Sequence, residues 1–189
     1  RALELSGTTQ ALLVATLEHE LGQHAQPRVP EGWQALFADD FERTRAEQAK
    51  LADELDRFSL SERLAAGQRS YAENCQHCHG VRGDADTQTA KILLPRPRDF
   101  SLGFTKFKST PGNAAPLRAD LQRVLEQGLA STAMASFAQL DPLERAQLTD
   151  YVQYLLMRGA LETRVASALA ALPSDPDAAP AEIEFRILQ

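Results

Sequence analysis

Apolar residues recur every four positions near the start of the chain: Leu13, Leu17 and Leu21, with Val14 beside them. One side chain per turn on a single face predicts a helix over residues 3–24. The stretch from Pro27 to Gly32 breaks that pattern and reads as a connector. A longer amphipathic segment follows, from Trp33 to Phe58. Its apolar positions are Trp33, Phe37, Phe41, Leu51, Leu55 and Phe58, and charged residues fill the remaining faces. The two segments suit a helical hairpin, either a cover over the domain that follows or a docking arm for a partner.

Ser59-Leu60-Ser61-Glu62 has the form of a capping box and starts a helix running to about Asn74. Gly67 and Tyr71 lie one turn apart on it. A glycine there lets another helix approach, and the tyrosine fills the crossing. The expected partner runs from Pro142 to about Arg158, with Asp141 as N-cap, Pro142 at the first helical position and Glu144 at the third. Leu148, Tyr151, Val152 and Leu155 form one face, and Gly159 is read as its stop. Leu117 to Gln127 predicts a short amphipathic helix ended by Gly128, followed by a loop from Leu129 to Leu140 that holds Met134. Beyond Gly159, Leu161, Val165, Leu169 and Leu172 suggest a separate helix. Pro173 to Pro180 then reads as a linker, and residues 183–188 alternate partly like a strand.

Cys75-Gln76-His77-Cys78-His79 supplies the chemistry. C-x-x-C-H is the attachment pattern of a c-type haem. Two thiols separated by two residues reach the same ring edge, and the adjacent His79 places an imidazole nitrogen on the iron. A zinc site is a weaker reading, because it needs further ligands and His19 and His24 lie far upstream. A thioredoxin-like dithiol needs a strand–helix context that is missing around residues 60–100.

Composition changes the picture little. The 189 residues are 43% hydrophobic and 24% charged, as in an ordinary soluble protein. A net charge of −6 argues against a general nucleic-acid binder. The longest apolar run, Ala11 to Leu17, is too short to span a bilayer, so no transmembrane segment is expected. The chain starts at Arg1 without a methionine and reads as a processed or excised product. Covalent haem attachment in bacteria follows export, which points to a periplasmic or extracytoplasmic location. Between Lys91 and Lys108 stand five basic residues (Lys91, Arg96, Arg98, Lys106, Lys108) and one acid, Asp99. That local excess suits either a solvated loop or the steering of an acidic redox partner.

With Gly67, Tyr71, Cys75-x-x-Cys78-His79, a proline-bearing loop, Met134, and a closing helix with Tyr151 and Tyr154, the chain resembles class I c-type cytochromes with one haem. The resemblance covers residues 59–158. The stretch from Arg96 to Pro111 is similar to a narrower subgroup, found among bacterial cytochrome domains of respiratory redox complexes. The resemblance implies an all-α, haem-enclosing domain with an N-terminal helical extension. The expected division is an extension over 1–58, the haem domain over 59–160, and a helix, linker and possible strand over 161–189. It also implies Met134 as the distal ligand, although Ser131 and Ala135 stand where the subgroup often has glycine and proline. Met157, within the closing helix, is the other thioether. By the same resemblance Pro95, or else Pro97, offers a carbonyl to the free ring nitrogen of His79. Arg96 and Arg98 are candidates to pair with the haem propionates.

The expected function is single-electron transfer by one covalent haem between respiratory redox partners, in a protein that is not itself an enzyme. Two alternatives stand beside it. One is a relay or structural subunit of a larger periplasmic or membrane-associated complex. The other is a haem enzyme or gas sensor with a labile distal ligand. At least one of the extensions is expected to serve assembly with another redox subunit or domain rather than to hold the haem.

Overall fold

The computed structural model describes residues 7–30, 33, 37 and 46–170. In chain order the helices are α1 (Gly7–Leu21), α2 (Ala46–Leu55), α3 (Leu60–Asn74), α4 (Gln76–His79), α5 (Gln88–Ile92), α6 (Arg118–Gln127) and α7 (Pro142–Ala170). A two-residue antiparallel hairpin, β1 (Gly22–Gln23) with β2 (Gln26–Pro27), follows α1, and a 3-10 turn spans Phe100–Leu102. The class is therefore all-α, as the pattern predicts. The expected linker over Pro173 to Pro180 and the strand over 183–188 lie outside the described residues, as does most of the predicted helix between Trp33 and Ala46.

The crossing of α3 and α7 is the centre of the fold. A β-carbon on Gly67 would come within 2.7 Å of the Gln147 carbonyl carbon and 2.9 Å of Tyr151 Cβ, so only glycine admits α7 this closely. Tyr71 and Tyr151 fill the crossing with ring centroids 5.2 Å apart and planes tilted by 60°. Leu64 and Leu148 are fully buried beside them. The capping box at the start of α3 forms: the Glu62 backbone N–H donates to Ser59 Oγ, and the Ser59 N–H donates to Glu62 at 2.8 Å.

A buried ion triad braces the same crossing. Arg63 Nε donates to Asp150 Oδ2 at 2.7 Å, and Arg118 pairs with Asp150 Oδ1. Arg118 also donates to the Ala146 carbonyl at 3.0 Å. Asp150 and Arg118 are almost wholly buried. The triad joins α3, α6 and α7.

Besides α2, which ends at Leu55 rather than Phe58, two element boundaries differ from the expected ones. The first helix ends at Leu21, not at residue 24, because Gly22 takes a φ of +70° and turns the chain into the hairpin. Gly159 does not stop the closing helix, which runs on unbroken to Ala170. Its missing side chain admits another segment: a β-carbon there would lie 2.5 Å from the Phe100 carbonyl oxygen and 2.6 Å from Ser101 Cα. The residue read as a terminator is a close-approach site for the 3-10 turn.

The apolar face of α1 is used within the chain. Leu13, Leu17 and Leu21 are buried in one cluster with Tyr154, Leu156, Val165 and Leu169 of α7. The hairpin is tied to the same helix. Tyr154 Oη donates to the Leu21 carbonyl at 2.9 Å, Tyr151 Oη to that of His24 at 3.0 Å, and Arg158 to that of Gly22 at 2.6 Å. The apolar face of α1 is thus spent on contacts within the chain.

Candidate haem site

Helix α3 delivers Cys75, whose N–H donates to the Tyr71 carbonyl at 2.8 Å. The short α4 then presents Cys78 and His79. The loop after it is pinned from several sides. Tyr71 Oη donates to the Gly80 carbonyl at 2.8 Å, the Ala85 N–H to the His79 carbonyl at 2.8 Å, and the Phe100 N–H to the Gly83 carbonyl at 2.6 Å.

Cys75, Cys78 and His79 open onto a cleft of about 500 Å³, within the range of roughly 300–1,000 Å³ common for cofactor sites. Tyr71, Phe100, Leu121, Leu125, Phe137 and Val152 give it apolar walls, and Met134 lines it from the loop after α6. Pro95, Arg96, Pro97, Arg98 and Lys106 line it as well. A second cavity of about 370 Å³ shares Arg96, Arg98 and Lys106 with it and adds Asp84 and Asp99. Met157, His19 and His24 are not among the lining residues.

The His79 ring is fixed by two contacts. Its Nδ1 lies 2.9 Å from the Arg98 carbonyl oxygen, and its face stacks on Phe100 with centroids 4.7 Å apart and planes 10° off parallel. The expected carbonyl from Pro95 or Pro97 is thus supplied by Arg98 instead. Because a carbonyl only accepts, Nδ1 carries the proton, and the Nε2 lone pair is left for a metal. Burial lowers the His79 pKa, and the Arg98 hydrogen bond opposes that shift. Burial pushes the Cys75 thiol up to about 12, and it raises Cys78 as well.

The site passes a chemical test for haem. Two thiols, one imidazole with a free lone pair and one thioether face a single apolar cleft, with guanidinium groups among its lining. No cluster of three or more His, Cys, Asp or Glu side chains suited to a metal ion occurs among the described residues. A zinc site would require such a cluster.

The basic stretch is less free than its charge suggests. Lys108 Nζ donates to the Thr110 and Gly112 carbonyls at 2.8 Å, which makes it a staple of its own loop. Lys91 pairs with Asp86 at 3.3 Å. Arg96 donates to the Ala85 carbonyl at 3.3 Å, and Arg98 sits 5.7 Å above the Phe104 ring. His19 is an exposed partner of Glu20.

Sequence reasoning missed α5, the Arg98 carbonyl and the ion triad. Only α5 had a local signal: Thr87 accepts from the Ala90 N–H at 2.9 Å as an N-cap.

Among the described residues, no helix is long and apolar enough to cross a membrane. No curated protein matches the chain. Among solved structures, a chain of the Kuenenia stuttgartiensis reducing HAO-like protein complex is 31% identical, with a TM-score of 0.45; the match covers 47% of this chain and 40% of that one. The Cytochrome c family model matches residues 64–156. This segment is therefore a cytochrome c domain, the kind of module that carries covalently bound haem c and transfers electrons.

Proposed function

We propose that the protein carries single electrons on one haem c, held by Cys75 and Cys78 and ligated by His79 and Met134. The observation that carries this reading is the convergence of those four side chains on one apolar cleft. When bound, the haem supplies a reversible one-electron couple at its iron.

The protein's own groups hold and tune that couple. The Arg98 carbonyl and the Phe100 ring keep the His79 imidazole in one orientation and increase its donation through Nε2. Gly83 helps seat Phe100: a β-carbon there would lie 3.1 Å from the Phe100 ring. As a ligand, the Met134 thioether would favour ferrous iron and raise the potential. Arg96 and Arg98 offset the propionate charge. With His79 and Met134 both committed to the iron, electron transfer would be favoured over substrate or gas chemistry. In this reading residues 59–160 carry the haem, and residues 1–58 and 161–189 are accessory. The partners are redox proteins, within a larger periplasmic or membrane-associated assembly on the extracytoplasmic side.

Carbon monoxide tests the reading. The reduced protein is expected not to bind it at neutral pH, whereas Met134→Ala binds it readily and has a lower potential. Ready binding by the unmodified protein favours the enzyme or sensor alternative.

A further inference from the structure

The loop that presents Met134 packs against the core only through Met134, Phe137 and Leu140. Ala130, Ser131, Ala133, Ala135, Ser136, Ala138 and Gln139 are exposed, while Thr132, Met134 and Phe137 are half-buried. Hydrogen bonds supply the rest of its order. The Met134 carbonyl accepts from the Leu129 N–H at 3.0 Å, and the Met134 N–H donates to Thr132 Oγ1 at 3.0 Å. The same hydroxyl donates to the Leu129 carbonyl at 2.8 Å. Thr132 Oγ1 thus links the start of the loop to the Met134 backbone, and Thr132 is among the residues that line the cleft.

The surroundings leave little slack. Gly128 has a φ of +67°, and a β-carbon on it would lie 2.7 Å from the Met134 carbonyl oxygen and 2.8 Å from the Ser136 nitrogen. Ser131 takes a φ of +61°, where L-residues are disfavoured. The chain holds this conformation where a glycine would adopt it freely, so the hydrogen bonds around it carry the constraint.

We propose that the Thr132 hydroxyl is a positioning group that sets how firmly the Met134 thioether is held toward the iron. This rests on Met134 being the distal ligand. Removing the hydroxyl leaves Leu129 its bond from the Thr132 N–H at 3.2 Å, but it frees the Met134 N–H. The methionine is then displaced more easily by an added ligand.

The test is imidazole titration of the oxidised holoprotein, with the near-infrared sulfur-to-iron band recorded alongside. Thr132→Val keeps the side-chain shape and is expected to bind imidazole between about twofold and tenfold more tightly, the scale of one lost hydrogen bond. Thr132→Ser is expected to titrate like the unmodified protein. Ser136→Ala removes a different loop contact, the 2.6 Å bond to the Glu126 carbonyl, and is expected to change imidazole affinity less than Thr132→Val. The proposal is overturned if Thr132→Val titrates normally, if Thr132→Ser shifts as far as Thr132→Val, or if Ser136→Ala matches it. Met134→Ala separates the two levels. Loss of the band in that variant beside a normal Thr132→Val refutes the positioning role alone, and retention of the band refutes the ligand assignment beneath it.

Discussion

Replacing Gly67 by alanine adds one methyl group at the closest point between α3 and α7. The new carbon would overlap the Gln147 carbonyl oxygen and lie 2.7 Å from its carbon, at least about 0.7 Å short of the 3.4 Å at which ordinary contact begins. The obstacle is α7 backbone, so no side-chain rotation relieves it, and the helices must separate by at least that distance. A gap of 0.5–1 Å forfeits roughly a quarter to a half of each dispersion contact. Leu64, Tyr71, Leu148 and Tyr151 all lie at this interface. Overpacking typically costs about 1–3 kcal/mol, and a backbone obstacle belongs near the upper end. Alanine returns about 1 kcal/mol of helix propensity. The net loss is about 2 kcal/mol, or a fall in Tm of about 4–8 °C for a chain of this size. Guanidinium unfolding of the holoprotein, followed by circular dichroism, measures it. The sign decides the matter: at an open helical site the same substitution stabilises, so an unchanged or higher midpoint refutes the close crossing.

The Gly159→Ala variant is expected to push away the 3-10 turn, loosen the Phe100–His79 stack and shift the haem absorption bands; unchanged bands count against that coupling. Asp150→Ala leaves Arg63 and Arg118 facing each other without their carboxylate and is expected to cost about 3–5 kcal/mol in chemical unfolding. A loss under 1 kcal/mol contradicts the triad's bracing role. Burial, reinforced by Arg158 and Arg82 against an opposing Asp84, lowers the His24 pKa to about 4. The unfolded chain then binds the proton more readily, so stability is complete above the ordinary histidine pKa of about 6.5 and declines as pH falls from there toward 4. The ring is partly exposed, which keeps the effect modest. Unfolding midpoints across that range should fall less in His24→Gln than in the unmodified protein, and equal slopes refute the assignment.

Features carried by local spacing were legible in the sequence. Cys75, Cys78 and His79 are near neighbours, the capping box spans Ser59 to Glu62, and Gly67 and Tyr71 share a helical face. The α3–α7 pairing followed from two such faces. Contacts between distant residues were not legible: nothing near Arg63 announces Asp150, 87 positions away. The acceptor for His79 could not be read from residue type, because every residue in the proline loop has a carbonyl and only the path of the chain selects Arg98. Gly159 was misread because a glycine that ends a helix and one that admits a neighbouring backbone look alike in sequence. Lys108 was read as a free charge, although its ammonium is committed to carbonyls two and four residues on.

Everything proposed for the cleft depends on Cys75 and Cys78 binding one haem covalently. Intact-mass measurement of the acid-denatured protein, purified from a host able to attach haem c, tests it most directly. The expected result is one species at the mass of the chain plus one haem, with the pigment retained through acid–acetone extraction. The Cys75→Ser/Cys78→Ser double variant should appear as bare chain. A bare-chain mass for the unmodified protein, with all pigment in the extract, would contradict the claim.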